Sequence, residues 1–190
     1  NKLLSMKKRI VFLLLLLSFS KTNAQEIERT ELGLDLTFVA SNFGGTVGLG
    51  SKFGIKMGEY LIAGPSVRYQ RSWNNNIAAQ TKSGFNIFGG GIFAHARFFN
   101  AMFVGAEFEY LRSPYTSFGF LTASTQWSST LFLGGGLSLE LNESIRLNAG
   151  IMYDIINHIN SPLRSQYFMK NAQGFLLPVI YRIAFFFPLS

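Results

Sequence analysis

The chain has 190 residues, 48% of them hydrophobic and 15% aromatic, and a formal net charge of +7. It has no cysteine, which excludes both a disulfide scaffold and a lipid-modified cysteine anchor. The basic excess is local: Lys2, Lys7, Lys8, Arg9 and Lys21 precede Gln25 and none of the ten acids does, so the rest carries only +2 and makes no case for nucleic-acid binding.

The first predicted element is a leader. Met6 reads as the start, with residues 1–5 as an upstream extension. Lys7, Lys8 and Arg9 form a basic region, residues 10–17 an apolar run, and Thr22-Asn23-Ala24 places small residues before a cut after Ala24. This pattern predicts a signal peptide over 1–24. The apolar run is far shorter than the roughly 20 residues of a spanning helix. Residues 25–190 then form one domain, with only a few residues before the first strand and after the last.

From Glu31 onward apolar and polar residues alternate. Leu32, Leu34, Leu36 and Phe38 interleave with Gly33, Asp35 and Thr37, and late in the chain Ile145, Leu147, Ala149, Ile151 and Tyr153 interleave with Arg146, Asn148, Gly150, Met152 and Asp154. A strand puts such residues on opposite faces. No segment after the leader reads as a helix able to cover the apolar face. A barrel with lipid outside and polar residues inside satisfies both faces. Strands are predicted at 31–40, 46–57, 60–73, 84–98, 102–113, 128–141, 145–157 and 175–187. The connections after the second, fourth and sixth are tight, at Gly58-Glu59, Phe99-Asn100-Ala101 and Asn142-Glu143-Ser144. Those at 74–83, 114–127 and 158–174 are long. Tyr69, Trp73, Tyr110, Trp127 and Tyr153 fall toward one end of the strands, and Tyr60, Phe98 and Phe187 toward the other, as two interfacial girdles would require.

The last strand alternates Tyr181, Ile183, Phe185 and Phe187, which resembles the C-terminal signal of outer-membrane barrels, although Pro188, Leu189 and Ser190 follow. With the leader, the alternation and the turn lengths, residues 25–190 resemble the small eight-stranded outer-membrane barrels of Gram-negative bacteria, the OmpA/OmpX-like group and the broad outer membrane protein beta-barrel family. The resemblance implies an all-β fold, an eight-stranded antiparallel up-and-down transmembrane β-barrel. Both termini would be periplasmic and the long loops extracellular.

The strand phase places Asp35, Glu107, Glu109, Glu140 and Asp154 inside, with Lys52, Lys56, Arg68, Arg97, Arg146 and Arg182. An eight-stranded barrel has room only for its own side chains, and buried charges must be paired. This near balance predicts a lumen plugged by a charge network. Glu140 and Arg146 flank one tight turn, and Asp35 and Arg182 lie on the first and last strands, which must pair. His95 reads as a hydrogen-bonded lumen residue. His158-Ile159-Asn160-Ser161 weakly resembles the His-x-Ser-Asn stretch of lipid A 3-O-deacylase barrels. Asn and Ser are exchanged, however, and no acid follows Asp154, so no catalytic residue is assigned. No metal-ligand spacing and no cofactor motif is present.

The expected working surface is the loops: Tyr115, Phe118, Phe120, Leu121, Tyr167 and Phe168, apolar residues in segments that should meet water, together with Arg164. Basic residues at the same end (Arg71, Lys82, Arg112, Arg164 and Lys170) suit outer-membrane lipid and lipopolysaccharide. The reading is a non-enzymatic structural or interaction subunit, with another outer-membrane or surface protein as partner. The alternatives are a lipid A-modifying enzyme and a narrow pore.

Overall fold

A computed structural model describes residues 30–41, 44–76, 81–115 and 121–189, with no side chain described at Tyr115, Lys82 or Leu121. The predicted signal peptide, Phe118 and Phe120 lie outside the described residues. The strands are β1 (Thr30–Ser41), β2 (Gly44–Met57), β3 (Leu61–Asn76), β4 (Thr81–Phe98), β5 (Met102–Tyr115), β6 (Leu121–Asn142), β7 (Ile145–Asp154) and β8 (Val179–Leu189). Each pairs antiparallel with the next, and β8 pairs with β1, which closes an eight-stranded up-and-down barrel.

Alternation becomes inside and outside. Asp35 and Thr37 are buried while Leu36 and Phe38 are 47% and 67% exposed on the outer wall. The same two-residue phase runs through β3, where Ile62, Ser66, Arg68, Gln70 and Ser72 turn inward and Val67 and Tyr69 outward. Thr30 pairs with Leu189 at the end that carries the tight turns. There Gly58 has φ of 66°, and Phe99 and Asn100 have φ of 54° and 51°. Ala101 N donates to Phe98 O at 3.1 Å. Two consecutive positive φ values turn the chain within the three-residue connection Phe99-Asn100-Ala101, across which Phe98 pairs with Met102. Asn tolerates that conformation, whereas Phe adopts it at a cost of about 1–2 kcal/mol.

The strand boundaries differ from the sequence reading at the loop end. β3 and β4 run on to Asn76 and Thr81, and β6 starts at Leu121, inside what reads as a long loop. Backbone pairing does not depend on side-chain polarity. A hairpin that projects into water has no buried face, so it leaves no alternation to read. β7 and β8 err the other way. β7 stops at Asp154 and β8 starts at Val179, and the segment between them folds inward around a 3-10 turn at Pro162–Gln166.

Inside, three storeys follow one another along the strands. Nearest the turns, Ile62, Phe93, Ala184 and Phe186 form an apolar cluster. The middle storey is ionic. Toward the loops, Ile87, Leu111, Phe132, Met152 and Ile180 pack with Leu163 and Tyr167 from the last connection.

Candidate functional site in the barrel interior and last loop

The middle storey is assembled from β1, β2, β3, β4, β5 and β8. Lys52 Nζ lies 3.1 Å from Asp35 Oδ2 and 2.5 Å from Glu107 Oε1. Arg68 donates to Glu109 Oε1 through Nε at 2.9 Å and Nη2 at 2.8 Å, a forked contact, and its Nη2 also reaches Asp35 Oδ2 at 3.3 Å. Arg182 Nη2 meets Glu109 Oε2 at 3.2 Å, with longer ionic contacts to Glu107 at 3.6 Å and Asp35 at 3.8 Å. His95 Nε2 lies 2.9 Å from Glu107 Oε1, its ring between Phe93, Phe103 and Phe186. Three carboxylates thus face the basic side chains of Lys52, Arg68 and Arg182, all buried. Glycine makes the room: the His95 ring lies where a Cβ on Gly105 would stand, and Asp35 and Arg68 close over Gly50.

The other expected lumen charges sit elsewhere. Arg97 bonds Glu31 through Nη1, at 2.8 Å to Oε2 and 3.0 Å to Oε1, and lies over the Phe186 ring at 4.7 Å. Arg146 reaches Glu140 Oε2 at 2.7 Å across the β6–β7 turn. Glu31, Arg97 and Arg146 line a mouth of about 340 Å³ at the turn end, and Lys56 lines that mouth outside the buried network. The placement of Lys56 in the network is corrected: it lies beyond Gly54 toward the turn and lines the half-open mouth. Glu31 is a site residue not among the lumen charges expected from the sequence, although its phase on β1 matches Asp35.

Asp154 is also corrected. It is fully buried, yet it joins no cation of the middle storey. Its Oδ1 accepts from Leu131 N at 3.2 Å and Asn157 N at 3.1 Å, and its Oδ2 accepts from the Tyr167 hydroxyl at 3.1 Å. Backbone amides of β6 and of the turn after β7, with the Tyr167 hydroxyl, satisfy it in place of lysine or arginine. Tyr167, expected on the loop surface, is turned inward and only 7% exposed. Burial first, then the neighbouring Asp154 charge, raises the Tyr167 hydroxyl above its ordinary pKa. Arg164 bonds Asn157 Oδ1 at 2.6 Å and lies over the Tyr167 ring at 5.9 Å. Phe168 stays half exposed, beside Met169, Phe175 and Leu176 on a small hairpin bridged at Lys170 and Leu176. The exposed apolar surface of the last loop is therefore shifted from Tyr167 to this hairpin.

The His158 and Ser161 side chains do not bond each other; the two residues meet through the backbone, Ser161 N donating to His158 O at 2.9 Å. Ser161 is buried, and its Oγ accepts from Leu163 N at 3.3 Å as the cap of the 3-10 turn. His158 Nδ1 accepts from Asn160 N at 3.1 Å. Among the described residues no group of three or more His, Asp or Glu is placed to hold a metal ion.

No protein-family model matches the chain, and no curated protein matches it. Among solved structures, the Yersinia pestis outer membrane protein Ail in a phospholipid bilayer nanodisc is similar to it. The two share 8% sequence identity and a TM-score of 0.47, over 85% of this chain and 99% of Ail.

Proposed function

We propose that the chain is a non-enzymatic outer-membrane barrel that serves as a structural or interaction subunit through its loops and outer wall, with a lumen plugged by paired charges. The observation that carries this reading is the distribution of polarity. Every strand exposes large apolar side chains outward, among them Leu36, Leu49, Val67, Ile92, Val104, Leu137, Ile151 and Ile183. Asp35, Glu107 and Glu109 point the other way and are buried. In water such a wall would be unstable, whereas in a bilayer it is the ground state. Tyr60 and Phe98 at the turn end, and Tyr69, Tyr110, Trp127 and Tyr153 toward the loops, give the wall its two aromatic borders. Among the described residues no helix is long and apolar enough to cross a membrane. Both termini are periplasmic and the last loop extracellular in this orientation. Its partners are outer-membrane lipid, lipopolysaccharide and a second envelope protein that meets Phe168, Met169, Phe175 and Leu176.

The buried ion pairs of the middle storey, with an apolar cluster on either side of them, support a plugged lumen over a pore. Purified protein reconstituted in planar bilayers should show no steady conductance. Steady, large conductance from the pure chain would overturn the plugged lumen. Capture in gentle detergent, followed by mass spectrometry, tests the subunit role; a strictly solitary barrel would argue against it.

A further inference from the structure

On the outer wall over β3 to β6, two features meet. The first is an apolar groove of about 460 Å³ between large neighbours, lined by Ala63, Pro65, Ile92, Ala94, Ala106 and Phe108. The small side chains sit in register: Ala63 faces Ala94, and Ala94 faces Ala106. The second lies closer to the loops on the same face. Phe88, Arg112 and Trp127 occupy one row across β4, β5 and β6, with Arg71 on β3 a step beyond. Trp127 stacks on Tyr110 at 4.9 Å and meets Phe88 edge-on at 6.1 Å, and the Arg112 guanidinium lies over Phe88 at 5.6 Å.

Both arginines are steered by neutral oxygens. Arg112 Nε donates to Thr125 Oγ1 at 2.8 Å and Arg71 Nη1 to Asn86 Oδ1 at 2.9 Å. No acid shares this face: β3 and β4 contain none, Glu107 and Glu109 of β5 face inward, and Glu140 of β6 lies at the turn end. The positive charge is thus held in place and uncompensated at the level where the aromatic border puts lipid headgroups. From Arg112 to Ala106 the strand advances about 20 Å, at about 3.3 Å per residue, a span one acyl chain covers. Between them on the outer wall stand Tyr110 and Phe108 of β5, and Gly90 of β4, which presents only a hydrogen, lies beside Tyr110.

We infer that this wall is a binding site for a phosphate-bearing lipid of the surrounding leaflet, with the phosphate on Arg71 and Arg112 and one acyl chain in the Ala63–Ala94–Ala106 groove. The inference rests on the membrane reading above and names a lipid site within it. Charge complementarity selects the occupant, because guanidinium groups bind phosphate oxygens by forked, charge-assisted hydrogen bonds. An apolar groove alone would take any chain; the arginines above it discriminate.

The test uses native mass spectrometry of the full chain titrated with dipalmitoyl phosphatidylglycerol, dipalmitoyl phosphatidylcholine or inorganic phosphate. The anionic lipid should be retained preferentially. The R71Q/R112Q double variant should lower its retention roughly tenfold, in line with loss of charge-assisted hydrogen bonds, and leave the zwitterionic lipid unchanged. The A94L/A106L variant, which fills the groove with apolar volume, should lower retention of both lipids. Equal retention of the two lipids, or no effect of either variant, would overturn the site. Competition by inorganic phosphate as effective as the anionic lipid would show a free-anion site instead. Insertion into phosphatidylcholine vesicles, followed by the fluorescence of Trp73 and Trp127, is read in parallel. Wild type and R71Q/R112Q should insert alike, and failure of the wild type to insert would fall on the membrane reading and not on the lipid site.

Discussion

The middle and outer storeys of the interior are held by opposite means. The middle one is ionic, and every member of it comes from a strand: Asp35, Lys52, Arg68, His95, Glu107, Glu109 and Arg182. The outer one is apolar, and two of its members, Leu163 and Tyr167, come from the last connection. The first ties six strands into one unit, so disturbing it disturbs the barrel. The second joins the barrel to a loop, so disturbing it should release the loop and leave the barrel intact.

The largest break in that contrast is expected at Arg68. Its guanidinium bridges Glu109 and Asp35, both buried. Arg68→Met leaves two carboxylates short of their cation and should cost about 3–5 kcal/mol, read as a lowered urea midpoint for the whole barrel in detergent micelles. A shift confined to the loop would contradict the assignment of the middle storey to the barrel. Leu163→Ala comes next. Leu163 is fully buried in the outer cluster, and its truncation should cost about 2–5 kcal/mol. The loss should appear as faster proteolysis between β7 and β8, with the barrel midpoint unchanged.

Tyr167 refines the same comparison through pH. Its hydroxyl donates to Asp154 only while protonated, and burial beside that carboxylate raises its pKa. The folded loop therefore holds this proton more tightly than the released one. Its contribution is complete below the ordinary tyrosine pKa of about 10 and is lost as pH rises toward the raised value. Protection of the loop from protease should fall above about pH 10 in the wild type. Tyr167→Phe should weaken the loop by about 1–2 kcal/mol at neutral pH and abolish that alkaline step.

Much of the barrel was legible because a wall between lipid and a polar interior forces a period of two. The inward phase of Asp35, Lys52, Arg68, Glu107, Glu109 and Arg182 follows from that period alone. Their partners do not. Arg68 and Glu109 are far apart in sequence and meet across the lumen, which local alternation does not encode. Nor does it show that Ile87, Leu111, Phe132 and Met152 fill the outer half of the lumen; each occupies a position whose face the period assigns, but its chemistry is apolar. The last connection was the least legible. Tyr167 read as an apolar loop residue that should meet water, and nothing in the order of its segment says whether it turns outward or inward. The decisive contact is Asp154 with Tyr167, a hydrogen bond between a strand end and a loop. The Asp154 side chain thereby leaves the charge network that its strand phase suggested.

The pair Glu140 and Arg146 provides the smallest and most discriminating measurement. It is an ion pair of good length, 2.7 Å, like those of the middle storey, and it lies directly across the β6–β7 ladder. Its surroundings differ: the Glu140 side chain is 48% exposed, whereas those of Asp35 and Glu109 are buried. Water solvates the carboxylate whether or not the pair forms, so the pair gains little. Arg146 also has Ser138 at 3.5 Å and Asn100 at 3.4 Å as further acceptors. Glu140→Gln should therefore change stability by less than about 1 kcal/mol, and raised salt should erase even that. If Glu140→Gln instead matched Arg68→Met, the contrast between storeys would not be one of burial. The tight turn itself would then be what holds the barrel closed.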